Sequence, residues 1–190
     1  MARRAAVEVR QAILQATRDE LFDHGYDGVS YEGVARRAGT SKPVLYRRFT
    51  SRASMVYAAL SDAYAAPPPP EPTQTLNGDL IAWLAIALNR AAYIGAETYR
   101  ALLGESDPEV REALGGFVAG WVIAVEREVI TPARERGELG NAPLTVVELS
   151  LPVMMMRDQV IYQSVEEVDL ASIVDEICVP LFKIKSSNLL

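Results

Sequence analysis

The sequence predicts an all-α fold in two parts, a small N-terminal domain of three short helices and a larger helical domain behind it. Nearly every periodic segment of the 190 residues repeats its apolar positions at helical spacing, and no β-type alternation of any length appears. Glycines and capping residues mark the ends of these segments. The charge is divided as well: residues 1–52 carry ten Lys/Arg against six Asp/Glu, and the remaining 138 residues carry nine against nineteen.

Composition excludes several classes of protein. Cys178 is the single cysteine and His24 the single histidine, so we expect neither an internal disulfide nor a zinc site. The longest uncharged apolar run, residues 113–125, is shorter than the roughly 18–20 residues that cross a bilayer. The basic N-terminus leads into no apolar h-region of a secretory signal. We therefore expect a soluble cytoplasmic protein with no membrane partner, no metal and no cofactor.

The N-terminal third predicts short helices in close succession. An apolar stripe over residues 9–21 indicates a first helix, which ends at a glycine suited to the left-handed conformation after a helix. The third helix is predicted over residues 41–49, and we place the domain boundary after residue 52, giving domains of residues 1–52 and 53–190. The predicted caps are Ser30, Thr40 and either Thr50 or Ser51, and Gly25 and Gly39 end the first two helices.

The larger domain begins after a proline run. Four consecutive prolines and a fifth at 72 cannot continue a helix and predict a stiff connection over residues 67–72, in preference to an SH3-type ligand. Prolines inside the later segments predict kinks in those helices. Helical periodicity predicts segments over residues 76–95, 97–103, 107–137, 143–163 and 169–185, with the kinks at Pro132, Pro152 and Pro180.

Two C-terminal segments predict self-association. The segment over residues 143–163 has two apolar faces roughly 150° apart, whereas a helix in a monomer usually needs one buried face. Paired with the segment over 169–185 and with a symmetry mate, it would form a four-helix bundle. We therefore expect a homodimer, whose predicted interface residues are Leu149, Val153, Met156, Val160, Ile173, Ile177 and Leu181.

The helix over residues 76–95 predicts a small-molecule pocket. It is apolar nearly all round, yet its back face carries a few polar side chains. A few polar groups within apolar walls are typical of a ligand site, so we expect an unidentified small-molecule effector as a partner. The predicted lining residues are Trp83, Asn89, Tyr93, Phe117, Trp121 and Met155.

The second and third helices, joined through Gly39, form a helix-turn-helix pattern. The N-terminal residues of the second helix of such a motif reach base edges in the major groove of DNA. Leu45 and Phe49, four residues apart, would anchor the opposite face in the domain core. The pattern predicts double-stranded DNA as a partner.

This region resembles a known family. The stretch that carries the resemblance is GYDGVSYEGVARRAGTSKPVLYRRFTSRASMV, and over residues 9–60 the chain is similar to the DNA-binding domain of TetR-family bacterial transcriptional repressors. The acidic helical remainder resembles the family in length, in helix order and in the loop at Arg136-Gly137-Glu138-Leu139. The resemblance implies an N-terminal helix-turn-helix domain followed by a ligand-binding and dimerisation domain.

The resemblance also implies roles for individual residues. Ser30 and Tyr31 would contact a phosphate or an adjacent base edge, and residues 40–44 would face the major groove. Lys42 is the best candidate for a guanine contact. Tyr46 and Arg47 would grip the DNA backbone, Arg48 the backbone or a base, and Arg52 a phosphate. The full set is Ser30, Tyr31, Thr40, Ser41, Lys42, Pro43, Val44, Tyr46, Arg47, Arg48 and Arg52.

Together these observations predict a ligand-responsive transcriptional regulator, a repressor that binds an inverted-repeat operator as a homodimer. It would be released by a small apolar or aromatic effector. A helical adaptor whose basic head binds an acidic protein partner is the alternative. We do not expect an enzyme, because no P-loop, G-x-S-x-G or H-E-x-x-H motif is present.

Overall fold

The computed structural model describes residues 2–105 and 107–187, and the side chains from residue 6 onward. These residues form helices and no strand, which confirms the all-α prediction. They divide into two compact units, one within residues 1–65 and 97–113 and one within residues 66–96 and 114–190. This division differs from the predicted boundary at residue 52, because the fourth helix packs on the first and residues 97–113 belong to the N-terminal unit.

Capping and glycine geometry set the first elements of the N-terminal unit. Helix α1 (Ala2–Gly28) is broken at Gly25, where φ is 67°. The Ser30 hydroxyl oxygen accepts a 3.0 Å hydrogen bond from the Gly33 amide and starts helix α2 (Tyr31–Arg37). Gly39 has a φ of 62° and makes the turn that follows. The predicted break after the first helix and the predicted cap of the second are confirmed.

Helix α3 (Lys42–Tyr46) is shorter than the predicted 41–49, and its N-cap is Ser41 rather than Thr40. It ends early because the amides of Arg48 and Phe49 both bond to the Leu45 carbonyl, at 2.8 and 2.9 Å, which closes a turn. Ser51 then caps helix α4 (Arg52–Ala63), with Ser54 returning the bond.

The core of the N-terminal unit packs against the inner face of α3. Leu45 is fully buried, together with apolar side chains of α1 and α4 such as Ile13 and Val56. Helix α1 is tied to α2 by an ion pair between the buried Glu20 carboxylate and Arg37, 2.9 Å apart. Helix α3 therefore presents its opposite face outward from a fixed base.

Residues 97–113 complete this unit. They comprise most of helix α6 (Ala96–Gly104) and the start of helix α7 (Pro108–Val125). Asp107 caps α7, since its Oδ1 accepts from the Val110 amide at 3.1 Å. Its other oxygen accepts from the Thr50 hydroxyl at 3.4 Å, which ties the α6–α7 turn to the segment that leads into α4.

The second unit contains the remaining long helices and two π-helical turns. Each π-helical turn directly precedes a helix with a proline in its first turn, and the predicted kinks take this form at Pro132 and Pro180. A proline ring clashes with the carbonyl four residues earlier and has no N–H to bond it, so a regular α-helical turn is disfavoured before these prolines. At Pro152 the helix continues without a break. The elements are α5 (Leu76–Ile94), the rest of α7, the π-turn Glu126–Ile130, α8 (Thr131–Glu135), α9 (Val146–Tyr162), the 3₁₀ turn Val165–Glu167, the π-turn Ser172–Cys178 and α10 (Val179–Ser186).

A buried carboxylate fixes the end of the proline connection. Asp79, 4% exposed, accepts from the Thr73 amide at 2.6 Å and from the Thr73 hydroxyl at 2.8 Å. Its other oxygen pairs with Arg136 at 3.0 Å, and Arg136 also pairs with Glu138. The Glu138 carboxylate in turn accepts from the Leu76 amide, so both the start of α5 and the residues before it are anchored.

Among the residues that the structure describes, no single helix is long and apolar enough to span a bilayer; α5 and α6 reach that length and composition only when taken together.

Candidate nucleic-acid interface

The candidate interface lies on α3 and the neighbouring start of α2; we call it the reading surface. Ser30, Ser41, Lys42 and Pro43 are exposed there, while Thr40 and Val44 are half-buried. Because Leu45 is buried beneath them, the outward direction of these side chains is set by the core. Short polar and cationic side chains at the start of an outward-facing helix suit contact with base edges in a major groove.

Two tyrosines form a stacked pair at the edge of this surface. The ring centroids of Tyr31 and Tyr46 lie 4.3 Å apart with an interplanar angle of 27°. The Tyr31 hydroxyl donates to the Phe49 carbonyl at 3.3 Å, which fixes the inner ring. Tyr46 remains 60% exposed, so its hydroxyl is held outward on a rigid support and can donate to a phosphate oxygen.

Lys42 is paired with an acidic residue that the sequence pattern did not indicate. Its Nζ donates to Glu32 Oε2 at 2.6 Å, and both side chains are exposed. The hydrogen bond between them lowers the pKa of Glu32 and raises that of Lys42, so both groups are charged at neutral pH. Lysine and glutamate ten residues apart in sequence carried no signal of pairing, because the contact depends on how α2 and α3 pack.

Arg47 and Arg48 follow α3, and both are exposed. Their position just after the helix, beside the exposed Tyr46, suits contact with the sugar–phosphate backbone on one side of a groove. Arginine suits such a contact because its planar fork of donors matches phosphate oxygens.

Arg52, for which the resemblance implies a phosphate contact, is engaged inside the N-terminal unit. Its Nε donates to Glu105 Oε1 at 3.1 Å, and its Nη2 bonds the same oxygen. Its Nη1 faces the carbonyls of Tyr26 and Asp27 at 3.5 and 3.3 Å, and the guanidinium lies 4.5 Å from the centroid of the Tyr26 ring. A phosphate would have to compete with these contacts, so the structure gives Arg52 a bracing role between α1, α4 and the end of α6.

A cavity of about 240 Å³ opens in the second unit between α5 and α7. Trp83, Phe117 and Trp121, three of the six predicted lining residues, line it, and Trp121 is fixed by a 3.2 Å bond from its Nε1 to the Leu149 carbonyl. The other three predictions need correction: Asn89 and Tyr93 are exposed and Met155 lies outside the lining. The remaining lining residues are Ile86, Ala87, Gly120 and Ala124, so the wall lacks the predicted polar groups.

The predicted dimer interface also needs correction. Five of the seven residues, namely Leu149, Val153, Met156, Val160 and Ile173, are buried within the unit, none more than 4% exposed. Their side chains fill the core beneath α9 and cannot reach a second chain. Ile177 is 42% exposed and Leu181 is half-buried. The exposed large apolar side chains of this region are instead Val146, Val147, Met154, Tyr162, Ile177 and Ile184.

Comparison with known proteins covers both units. Residues 13–59 match the family described as bacterial regulatory proteins, tetR family, and residues 70–177 match the tetracyclin repressor-like C-terminal domain. The uncharacterized HTH-type transcriptional regulator Rv1556 of Mycobacterium tuberculosis is 30% identical over 135 residues, 70% of this chain and 66% of that one, just under two thirds of its length. The DNA-binding transcriptional repressor TetR of Mycobacteroides abscessus is 31% identical over 133 residues, 68% of this chain and 70% of that one.

A solved structure supports the fold. The crystal structure of a TetR-family transcriptional regulator from a Rhodococcus species superimposes with a TM-score of 0.54 at 21% identity, covering 95% of this chain and all of that one. The match over residues 70–177 alone takes in more than half of the chain, and the N-terminal match includes α2, α3 and most of α4. The chain belongs to the TetR family of bacterial transcriptional regulators, and its helix-turn-helix lies within the match to that family.

Proposed function

We propose that this chain is a ligand-responsive repressor, which binds an inverted-repeat operator as a homodimer in the cytoplasm and leaves it when a small apolar or aromatic effector binds. The observation that carries the proposal is the reading surface. Lys42 and Tyr46 on α3, and Arg47 and Arg48 directly after it, are all exposed, and the inner face of α3 is anchored by the buried Leu45. A relative of similar sequence, from Mycobacteroides abscessus, is named as a DNA-binding repressor, which supports this direction of control.

Selection of bound fragments from a random DNA pool tests the operator. A two-fold dimer carries two copies of α3, so we expect an inverted repeat whose half-sites lie about one helical turn apart or slightly more. If Arg47 contacts one phosphate in each subunit, Arg47→Ala should reduce the slope of log affinity against log salt by about 2. Arg127→Ala, which removes an exposed arginine of the second unit, is the control and should leave the slope unchanged. Enrichment of no inverted repeat would refute the proposal, as would binding to an acidic protein in place of DNA.

The homodimer is supported by the exposed apolar side chains of α9 and the C-terminal segment. Val147 and Met154 lie seven residues apart on α9 and give that helix an exposed apolar stripe. Ile177, in the π-turn, and Ile184, in α10, are exposed apolar side chains of the C-terminal segment. Met154→Glu should yield a monomer in sedimentation at micromolar concentration, with its helical circular dichroism intact. Ile123→Glu, at another exposed apolar position, on α7, is the control and should stay dimeric. A monomeric wild-type protein would overturn the assignment.

The cavity supports an apolar or aromatic effector. Its volume of about 240 Å³ exceeds the roughly 150 Å³ of an apolar cavity that takes up benzene, and its aromatic walls suit ring stacking. Both tryptophans of the chain line it, so a ligand there should change their emission. Gly120→Leu should fill the space and abolish that change, and Gly115→Leu, an exposed glycine of the same helix outside the lining, should not.

Effector and operator should oppose each other. A ligand shifts a conformational equilibrium only through its different affinities for the two states, and the coupling is reciprocal. A panel of small aromatic compounds would be screened by tryptophan emission, and any binder titrated with and without operator DNA. Operator should weaken the binder by the same factor by which the binder weakens operator. Equal affinities in the two titrations would show that the cavity is not the switch.

A further inference from the structure

The ion pair between Glu32 and Lys42 stands on the surface that the proposed function assigns to DNA. Glu32 lies in the first turn of α2 and Lys42 opens α3, and Glu32 Oε2 is 2.6 Å from Lys42 Nζ. The Glu32 side chain is 69% exposed and that of Lys42 48%. An ion pair so exposed contributes little to folding, so its placement calls for another reason.

A carboxylate here works against simple attraction to DNA. Every phosphate is negative, and a cation adds affinity by displacing the counterions of the DNA. Glu32 cancels the charge of Lys42, so the pair adds little net attraction for the backbone. The pair instead fixes the orientation of the Lys42 ammonium. One Nζ–H donates to Glu32, and the other two N–H donors of the ammonium remain available on the exposed side. The unused lone pairs of the carboxylate provide an acceptor beside them.

We propose, resting on the proposed function, that Glu32 is a specificity-determining residue that reads one G·C pair of each half-site together with Lys42. In the major groove guanine offers the acceptors O6 and N7, and its partner cytosine offers the N4 amino donor next to them. The ammonium of Lys42 donates to guanine, and the Glu32 carboxylate accepts from cytosine. An adjacent donor and acceptor thus meet an adjacent acceptor and donor. A C·G or an A·T pair reverses that order, and a T·A pair keeps it but has the thymine methyl group where guanine has N7, so a lysine contact is lost.

The experiment compares the sequences selected from a random DNA pool by the full-length wild type and by variants. Glu32→Gln should lose at least about fivefold of its preference at one base pair per half-site, the lower end for a specific base contact. It should also bind unrelated DNA more tightly, with a salt slope steeper by about 2 per dimer, because Lys42 is released toward phosphate. Glu97→Gln removes a first-turn carboxylate from another helix of the same unit and should change neither property.

A charge-swapped variant distinguishes a role in base recognition from a role in stabilising the helices. Glu32→Lys combined with Lys42→Glu keeps an ion pair between the two helices but exchanges donor and acceptor. It should fold like the wild type and prefer C·G where the wild type prefers G·C. Lys42→Ala should lose the preference at the same position as Glu32→Gln, because the two groups read one pair.

Two failures are distinguishable. If the wild type enriches no sequence, the proposed function fails. If the wild type enriches an inverted repeat and Glu32→Gln and the swapped variant enrich the same bases with an unchanged salt slope, the proposed function stands and the role of Glu32 is overturned. The role of Glu32 in base recognition is also overturned if Glu32→Gln melts at a lower temperature but keeps its base preference. That result would show that Glu32 only stabilises α2.

Discussion

Replacing Arg52 with alanine should destabilise the N-terminal unit without changing how its DNA affinity depends on salt. The Arg52 guanidinium braces the end of α1 and the end of α6 against α4, through Glu105, two backbone carbonyls and the face of Tyr26. The side chain is 30% exposed, so water screens these contacts only in part. A phosphate contact would leave a different signature, a shallower salt slope at unchanged stability.

The magnitude follows from the contacts that would be lost. A partly exposed ion pair contributes up to about 1 kcal/mol. A cation over an aromatic face adds about 0.5–1 kcal/mol, and bonds from a charged donor to the carbonyls of Tyr26 and Asp27 add about 1 kcal/mol. Since these terms share one guanidinium, we expect the Arg52→Ala variant to lose about 2 kcal/mol of unfolding free energy. For a unit of this size that loss lowers the melting temperature by roughly 10 °C.

Far-UV circular dichroism measures the melting of both units, whereas tryptophan emission reports the second one, where Trp83 and Trp121 both lie. In the Arg52→Ala variant a fraction of the ellipticity should be lost early while tryptophan emission keeps its wild-type midpoint. Arg48→Ala, an exposed arginine of the same unit, is the control and should melt like the wild type. Unchanged melting of Arg52→Ala together with a shallower salt slope would refute the bracing role and restore the phosphate contact.

Three further outcomes follow from buried groups. Arg37→Ala leaves the Glu20 carboxylate, 3% exposed, without its cation and should lower the urea midpoint of the N-terminal unit, whereas an unchanged midpoint would contradict this pairing. Gly140→Ala would bring a Cβ within 2.2 Å of a backbone oxygen of α10 and should lower the melting temperature. Gly115→Ala, where the space is open, should not lower it. Equal melting temperatures of the two variants would argue against the close approach at Gly140. Burial raises the pKa of Asp107. Hydrogen bonds from the Ser51 side chain and from backbone amides lower that pKa by a larger amount in total, so the net shift is downward. The Asp107 carboxylate therefore stabilises the fold above its unfolded pKa of about 4, and this stabilisation is lost as the pH falls through the lower folded pKa. Asp107→Asn should therefore reduce the difference between the urea midpoints at pH 7 and pH 3.

The N-terminal unit was predictable where its structure depends on local chemistry. The break at Gly25 and the cap at Ser30 follow from residue type, because a positive φ favours glycine and a short hydroxyl side chain satisfies a free helix amide. The partners of Lys42 and Arg52 were not predictable. Glu32 lies ten residues from Lys42 and Glu105 lies 53 residues from Arg52, and each meets its cation only through the packing of separate helices.

The second unit shows where periodicity stops being informative. Helix α9 has apolar residues on two faces, and the spacing of Val153 and Met154 alone does not say which face meets the core. Val153, which we predicted at the dimer interface, is fully buried, whereas Met154, which is absent from the predicted interface, is 51% exposed. The choice is made by α5 and the π-turn of residues 172–178, which pack against α9, and a sequence pattern of one helix contains no information about its neighbours.

The same reasoning limits what a count of charges says about DNA binding. The first 52 residues contain ten basic side chains, yet Arg37 is held by Glu20 and Asp23, Lys42 by Glu32 and Arg52 by Glu105. A cation held by a carboxylate releases fewer DNA counterions, because a phosphate must first replace the carboxylate. We therefore expect phosphate attraction at the reading surface to depend chiefly on Arg47 and Arg48. Arg37 and Arg52 are held in ion pairs within the N-terminal unit, and Lys42 is the residue for which we propose base discrimination.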